Sequence, residues 1–212
     1  MSKTVTNSKG ATSYKETTFG VIPRIKLLKL EIEGTKRGLE YLYDIVNQKK
    51  VIEITPELIL KLHNISFGWI FPNWAGKYRT IQVTFSGKEA PAYFRLPELV
   101  INLCYDLKER IRHLPKPDED NFIVSLVQLL AWFQHRVVSI HPFKDYNGRI
   151  ARMLTILLLL RFNLPPIELK AETGTDRRRY LTSMQKADEG DYSDLEVLIS
   201  QALTESLEKM RS

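Results

Sequence analysis

Residues 122–162 read FIVSLVQLLAWFQHRVVSIHPFKDYNGRIARMLTILLLLRF, which is two apolar segments with a short polar one between them. The apolar segments, residues 122–140 and 148–162, are long enough for helices, and their composition is typical of helices buried in a core. The polar segment contains a histidine, a lysine, an aspartate and an asparagine. Packing alone does not require these groups between two buried helices, so we expect the connection to carry the chemistry.

The rest of the chain is also mainly helical in pattern. Apolar residues recur at helical spacing in five further segments, which are residues 24–46, 55–67, 96–113, 176–187 and 193–210. Thr55 is expected to cap the second of these, with Pro56 at its first helical position. Residues 76–93 differ, because Ile81, Val83 and Phe85 alternate with polar residues and Ser86-Gly87-Lys88 supplies a turn. We expect the returning strand at residues 91–94. We therefore predict an all-α fold with one inserted β-hairpin.

Composition excludes several classes of protein. The chain has 212 residues, of which 43% are hydrophobic and 26% are charged, as in an ordinary globular domain. This excludes a collagen-like, a mucin-like or a wholly disordered chain. Residues 1–19 are polar and short of large apolar residues, so we expect a disordered basic arm there and one folded domain over residues 20–212.

The sequence also predicts where the protein acts. It contains no run of about 18 uncharged apolar residues and no apolar signal core. Together with the lone Cys104, this predicts a cytoplasmic protein with no membrane partner. The formal net charge is +6, and residues 1–50 hold ten Lys or Arg against five Asp or Glu. We expect a solvated arm and no nucleic-acid partner, because aromatic residues are not interleaved with these basic ones.

The connection between the two apolar helices contains the groups that bind phosphate. A helix that begins near Asn147 presents unpaired backbone N–H groups and a positive dipole end, which attract an anion. Gly148 allows a phosphate to approach the backbone closely. Arg149 and Arg152 are three residues apart, so they share one helix face and can each donate two N–H groups to phosphate oxygens.

Two further side chains in this connection complete the chemistry. Asp145 supplies a hard oxygen ligand of the kind that shares Mg²⁺ with substrate phosphates. His141 can be neutral near pH 7 and accept a proton from an incoming hydroxyl. Each residue alone is more often part of a turn, a cap or a solvated face. Their combination within residues 141–152 predicts transfer of a phosphate-containing group from a nucleotide to a hydroxyl.

Residues 141–152 closely resemble H-P-F-x-D/E-G-N-G-R-x-x-R, the signature of the Fic (Fido) family, except that Tyr146 stands where the family usually has glycine. Residues 74–79 (WAGKYR) are similar to the family's A-G-x-[FY]-R lead into a hairpin called the flap. Residues 187–191 (ADEGD) resemble a segment near the end of the family's core. The resemblance extends over about residues 20–210.

The resemblance implies a mostly helical enzyme, a protein adenylyltransferase that transfers AMP from ATP to a Ser, Thr or Tyr hydroxyl of a target protein. It implies that His141 deprotonates this hydroxyl and that Asp145 holds Mg²⁺ against the α- and β-phosphates. It assigns phosphate binding to four residues, which are Asn147, Gly148, Arg149 and Arg152.

The resemblance also assigns residues outside the signature to the substrates. The flap, residues 80–93, is expected to pair with an extended target segment along Ile81, Gln82 and Val83. The alternative is a hairpin that only packs on the surface. Tyr180 and Asp188 lie where the family often contacts the nucleotide base. The alternative for Tyr180 is a core aromatic, and Asp188 replaces an asparagine that is common there.

Many members of the family are restrained by a glutamate in the pattern [S/T]-x-x-x-E-[G/N], which pairs with the second arginine of the signature. Glu33 and Gly34 match the last two positions of this pattern, although Lys29 occupies the Ser/Thr position. Thr204 and Glu208 match the Ser/Thr and Glu positions, but Lys209 follows where Gly or Asn is expected. We therefore name Glu33 and Glu208 as candidates for this inhibitory role. The alternatives are a separate antitoxin-like inhibitor, as in toxin–antitoxin members, and no restraint at all.

Tyr146 leaves two structural outcomes open. If this position has a positive φ, a bulky residue costs about 1–2 kcal/mol and the loop is expected to be distorted. If φ is negative, the ring points outward. Three functions remain as alternatives to AMP transfer, which are phosphate transfer, removal of AMP, and a catalytically weak nucleotide-binding module that regulates or binds a partner.

Overall fold

A computed structural model describes residues 15–48, 52–171 and 174–211. Its helices are α1 (Arg24–Gln48), α2 (Pro56–Phe67), α3 (Leu96–Arg112), α4 (Phe122–Ile140), α5 (Asn147–Arg161), α6 (Gly174–Asp188) and α7 (Ser193–Arg211). Its strands are β1 (Lys15–Thr17), β2 (Gly20–Ile22), β3 (Thr84–Phe85) and β4 (Lys88–Glu89). The predicted all-α fold with an inserted hairpin is confirmed, and a second small hairpin is added to it.

The chain divides into two compact units. The first unit contains the described residues up to Cys104 together with Ile140–Ile150. The second unit contains Tyr105–Ser139 and the described residues from Ala151 onward. The polar connection that follows α4 therefore belongs to the first unit, and most of α5 belongs to the second.

The added hairpin lies at the start of the described chain. Strand β1 pairs antiparallel with β2, with Glu16 opposite Val21. The sequence placed residues 15–19 in a disordered arm, and this part of the prediction is wrong. The amide of Thr18 also donates to the carbonyl of Ile70, at 2.9 Å, which ties the hairpin to the first unit. Residues 1–14, the rest of the predicted arm, lie outside the described residues.

Helices α1 and α2 pack closely in the first unit. Thr55 caps α2 by accepting a hydrogen bond from the amide of Leu58, and Pro56 follows it, as the sequence predicted. Helix α1 continues through Gly34, although glycine weakens an isolated helix. A Cβ at Gly34 would lie 2.3 Å from the carbonyl oxygen of Ser66, so only glycine allows the two helices to come this close.

The predicted hairpin is present but short. Its strands β3 and β4 have two residues each, and the turn residues Ser86 and Gly87 have φ values of 48° and 78°. Two residues with positive φ are typical of the tight turns that join paired strands. We expected the returning strand at residues 91–94, whereas it ends at Glu89. Pro91 has no N–H to donate, and residues 93–95 form a 3₁₀ turn instead.

Helix α4 forms the centre of the second unit. Its buried side chains include Leu126, Leu130 and Phe133, and the ring of Phe122 meets Phe162 edge-on at 5.4 Å. Among the described helices, α4 is long and apolar enough to cross a membrane by length and composition. However, 56% of that window is buried inside the protein, as expected for a core helix. The buried helix that the sequence predicted here is confirmed.

Candidate functional site

The connection between α4 and α5, residues 141–146, is braced from within. We call it the motif loop. The side-chain amide of Asn147 accepts a hydrogen bond from the amide of Phe143 and donates one to its carbonyl, both at 2.9 Å. Phe143 is fully buried, and Asn147 is 2% exposed. These two bonds hold the side chain of Asn147 against Phe143, so we expect its backbone N–H to be the group that contacts a phosphate.

A buried histidine supports the motif loop from α2. The ring of His63 stacks on Phe143 with centroids 3.8 Å apart. Its Nδ1 accepts a hydrogen bond from the amide of Gly76, at 2.8 Å, so Nε2 carries the proton and donates it to the carbonyl of Asp145, at 3.2 Å. Burial lowers the pKa of His63 to about 4, which keeps the ring neutral at physiological pH. No local pattern in the sequence indicated this role for His63.

A buried arginine joins the motif loop to the base of the flap. The guanidinium of Arg79 donates to the carbonyls of His141 (2.8 Å), Ile81 (2.9 Å) and Pro91. Its backbone amide donates to the carbonyl of Pro142, at 2.9 Å. Arg79 is 3% exposed. The resemblance placed it at the end of the WAGKYR segment but assigned it no role, and the structure shows that it fixes the flap beside His141.

His141 and Asp145 line the same cavity. The imidazole of His141 stacks on Phe85 of the flap, with centroids 4.2 Å apart, and the residue has a φ of 53°. One carboxylate oxygen of Asp145 accepts a hydrogen bond from the amide of Tyr146, at 2.7 Å. The cavity has a volume of about 520 Å³, and Ile81, Val83 and Trp74 also contribute to its wall. The predicted base and the predicted metal ligand are therefore brought together beside the flap.

Tyr146 has a positive φ, and its ring points inward. The φ is 63°, in the left-handed region that a bulky residue rarely adopts. The ring is buried and stacks on Phe67 with centroids 4.1 Å apart. Its hydroxyl donates to the carboxylate of Glu31, at 2.8 Å. Burial and the negative charge of Glu31 raise the pKa of Tyr146. Residue 146 therefore has the strained, positive-φ backbone, but its ring packs in the core. The side chain does not cover the expected phosphate site.

Glu31 is the glutamate that reaches the signature residues. It is 1% exposed, and its Oε2 accepts a hydrogen bond from Nη2 of Arg149, at 3.1 Å. Arg24 donates to its Oε1, which also accepts from Tyr146. Sequence reasoning missed Glu31. A charged residue in a position that turns toward the core of an amphipathic helix was the available signal.

The two candidates for an inhibitory glutamate are Glu33 and Glu208, which were expected to pair with the second arginine of the signature. The carboxylate of Glu33 pairs with Arg37 on its own helix, at 3.2 Å, and its side chain is 46% exposed. We expected it to pair with the second arginine of the signature, and the structure pairs it with Arg37 instead. Glu208 is exposed near the end of α7. Neither residue is placed here as the prediction required.

The second unit contains the last arginine of the signature and the two residues assigned to the base. The guanidinium of Arg152 lies 5.9 Å from the centroid of the Tyr180 ring. Tyr180 is buried, and its hydroxyl accepts a hydrogen bond from Gln134, at 3.2 Å. The carboxylate of Asp188 lies 2.8 Å from Nε2 of His135. Tyr180 thus packs as a core aromatic, the alternative reading, and contact of either residue with a base stays a prediction.

Comparisons with known proteins agree on one family. The model of the Fic/DOC family matches residues 53–159. The chain is 33% identical over 161 residues to protein adenylyltransferase fic-1 of Caenorhabditis briggsae, in an alignment that covers 76% of this chain. That alignment covers 29% of the relative, so the chain spans less than a third of its length.

Solved structures show the same similarity. A fragment of Fic-1 from C. elegans matches with a TM-score of 0.65 and 27% identity, over 85% of this chain and 51% of that one. BepC, an effector protein of Bartonella tribocorum solved with bound AMPPNP, matches with a TM-score of 0.65 over 92% of this chain and 94% of its own. Its sequence is 15% identical, so this second likeness shows the fold alone.

Proposed function

Because the chain belongs to the Fic/DOC family, we propose that it is a protein adenylyltransferase that transfers AMP from Mg·ATP to a hydroxyl side chain of a target protein. One observation carries this proposal. His141 and Asp145 line one cavity beside the flap, where a base and a metal ligand must both meet the substrates. The relatives named protein adenylyltransferases support the same reaction.

The reaction begins at His141. Its neutral imidazole accepts the proton of the target hydroxyl, and the hydroxyl oxygen attacks the α-phosphorus of ATP. A bond forms between that oxygen and the α-phosphorus while the bond to the bridging oxygen of the β-phosphate breaks, and pyrophosphate leaves. Stacking on Phe85 and the hydrogen bond from Arg79 to the His141 carbonyl hold the imidazole in place, which favours reaction from a fixed geometry.

Asp145 fits a magnesium ion that is shared with a nucleotide. Magnesium in such sites takes one or two carboxylates and completes its shell with phosphates and water. Asp145 supplies a carboxylate on the cavity, and no group of three or more His, Cys, Asp or Glu suited to a metal occurs within the described ranges. The ion would screen the charge of the phosphates. Hydrogen bonding from the Tyr146 amide orients the Asp145 carboxylate for this purpose.

The start of α5 supplies the phosphate-binding groups. Its first backbone N–H groups point away from the helix and favour an anion, as does the positive end of the dipole. Gly148 adds no side chain there, and Arg149 and Arg152 add two positive charges one turn apart. We assign the α- and β-phosphates to residues 147–149 and the γ-phosphate to Arg152.

The flap is suited to hold an extended segment of the target. Within the described residues, no hydrogen bond involves the backbone N–H of Ile81, Gln82 or Val83. The carbonyl of Ile81 accepts from Arg79 and that of Val83 accepts from the amide of Ala90, so the backbone of Gln82 faces the open edge. The side-chain amide of Gln82 donates to the carbonyl of Ala90. A target strand can therefore add its carbonyls to this edge, next to His141. We expect cytoplasmic target proteins, and restraint by a separate antitoxin-like inhibitor stays a prediction.

Labelled nucleotide distinguishes this function from its alternatives. Purified protein with Mg²⁺ and a cell lysate is supplied with ATP labelled at either the α- or the γ-phosphate, and His141→Ala serves as the control. Label on protein from α-labelled ATP alone, absent in the control, is the expected result. Label from γ-labelled ATP alone would show a phosphotransferase. Loss of α-label from modified protein would show removal of AMP, and nucleotide binding without any label would show a regulatory module.

A further inference from the structure

A cluster of charged and polar side chains, largely buried except for Arg24, contacts the first turn of α5. It consists of Arg24, Glu31, Tyr146 and Arg149, and we call it the Glu31 cluster. Arg24 and Glu31 lie on α1, Tyr146 ends the motif loop, and Arg149 lies in the first turn of α5. Tyr146 and Glu31 are 115 residues apart in sequence, so the cluster joins two distant segments. The reaction steps above do not use Glu31.

Glu31 is held in place from several sides. Its carboxylate is 1% exposed, and a buried carboxylate is stable only when it is paired and hydrogen-bonded. Tyr146 and Arg24 bond to Oε1 while Arg149 bonds to Oε2. Two partners on one oxygen keep the carboxylate from rotating, so its other oxygen stays directed at Arg149. The side chain of Arg149 is itself 13% exposed.

This arrangement acts on two parts of the phosphate site at once. Through the hydroxyl of Tyr146, Glu31 holds the residue that adopts the left-handed turn before α5. Through Nη2 of Arg149, it fixes a guanidinium that has five N–H groups to donate. The charges of Arg24, Arg149 and Glu31 sum to +1, and the carboxylate of Asp145, which also acts on Arg24 and Tyr146, is the group that we assign to magnesium.

We propose that Glu31 is a positioning residue for nucleotide binding, which acts through Arg149 and Tyr146 to hold the start of α5 in its phosphate-binding form. The inference rests on the proposed function in that it assumes a nucleotide at this site. A side chain that is already ordered loses less entropy when it binds a phosphate, so the pairing increases affinity. The opposite expectation is that Glu31 competes with phosphate for Arg149 and so weakens binding.

The sign of one affinity change separates these two effects. We would measure the binding of Mg·AMPPNP by calorimetry to the wild type, to Glu31→Gln and to Glu40→Gln. Glu40 is the matched control, because it lies on the same helix but is exposed and pairs with Lys36. We expect Glu31→Gln to weaken AMPPNP binding about tenfold, the equivalent of one charge-assisted hydrogen bond, and Glu40→Gln to leave it unchanged. Tighter binding by Glu31→Gln would overturn the proposal.

Adenosine separates positioning from a purely structural role. Adenosine has no phosphates, so its affinity is expected to be equal in the wild type and in Glu31→Gln. Equal losses of adenosine and AMPPNP affinity, or a lower melting temperature with unchanged AMPPNP affinity, would show that Glu31 only stabilises the fold. Tyr146→Phe serves if Glu31→Gln does not fold, because it removes one hydroxyl and keeps the ring. We expect Tyr146→Phe to weaken AMPPNP binding about fivefold, and an unchanged AMPPNP affinity would contradict the proposal.

The two proposals fail in different ways. If the wild type binds AMPPNP and Glu31→Gln weakens this binding, but no AMP is transferred to protein, the proposed reaction fails and the role of Glu31 stands. If AMP is transferred but Glu31→Gln binds AMPPNP as the wild type does, only the role of Glu31 fails. A wild type that binds no AMPPNP would overturn both.

Discussion

Residue 146 combines an unfavourable backbone conformation with favourable side-chain contacts. A left-handed conformation costs a non-glycine residue about 1–2 kcal/mol. The buried ring on Phe67 and the hydroxyl bond to Glu31 offset this cost. Tyrosine is therefore accommodated at a position where the family usually has glycine, and the motif loop keeps its hydrogen bonds.

Replacing Tyr146 with glycine tests this balance. Truncation of a buried aromatic costs about 3–5 kcal/mol, and relief of backbone strain returns about 1–2. We expect Tyr146→Gly to lower the free energy of unfolding by about 2–3 kcal/mol in urea denaturation, and Tyr146→Phe by about 1. A glycine variant as stable as the wild type would show that the ring contributes no more than the backbone strain costs.

His141 provides the second test at this scale. Its imidazole lies on the cavity, where we propose that it accepts the proton, whereas the proposed phosphate-binding groups come from α5. We expect His141→Ala to abolish AMP transfer while the affinity for Mg·AMPPNP stays within about twofold of the wild type. Transfer that persists in this variant would remove His141 from the mechanism.

We propose that the flap recognises the target protein. The carbonyl of Val83 accepts from the amide of Ala90, so the backbone of Val83 faces the hairpin and that of Gln82 faces the open edge. Proline at position 82 removes the backbone N–H at this edge, whereas Gln82→Ala loses the same side chain and keeps the N–H. We expect Gln82→Pro to label target proteins about tenfold less than Gln82→Ala, because a lost edge bond also misaligns the segment. Both variants are expected to bind AMPPNP as the wild type does, and equal labelling by both would exclude strand addition at this edge.

At the scale of the whole molecule, His63 makes stability depend on pH. Its pKa is about 4 in the folded protein and about 6.5 in the unfolded chain, so the unfolded chain takes up the proton first. Neutral His63 therefore contributes about 3 kcal/mol to the free energy of unfolding above pH 6.5. This contribution is lost as the pH falls from 6.5 toward 4. Unfolding free energies between pH 7 and 4 are expected to fall less steeply in His63→Gln than in the exposed control His113→Gln. Parallel slopes would contradict the buried neutral state.

The sequence predicted those parts of the molecule that depend on local pattern. Periodic apolar residues located the helices, and Thr55-Pro56 located the start of α2. The returning strand of the flap was misplaced because pattern alone does not show where pairing stops. Glu31, His63 and Arg79 were missed for a different reason. Each acts through contacts with segments 62 to 118 residues away, and no local pattern reports such contacts.

The central claim is that AMP becomes attached to a protein hydroxyl through His141. The most direct test is tandem mass spectrometry of proteins from a lysate treated with Mg·ATP and either the wild type or His141→Ala. We predict Ser, Thr or Tyr side chains that carry adenosine monophosphate in the wild-type sample and are unmodified in the other. Side chains that carry phosphate alone, or AMP adducts equally abundant with His141→Ala, would contradict the account.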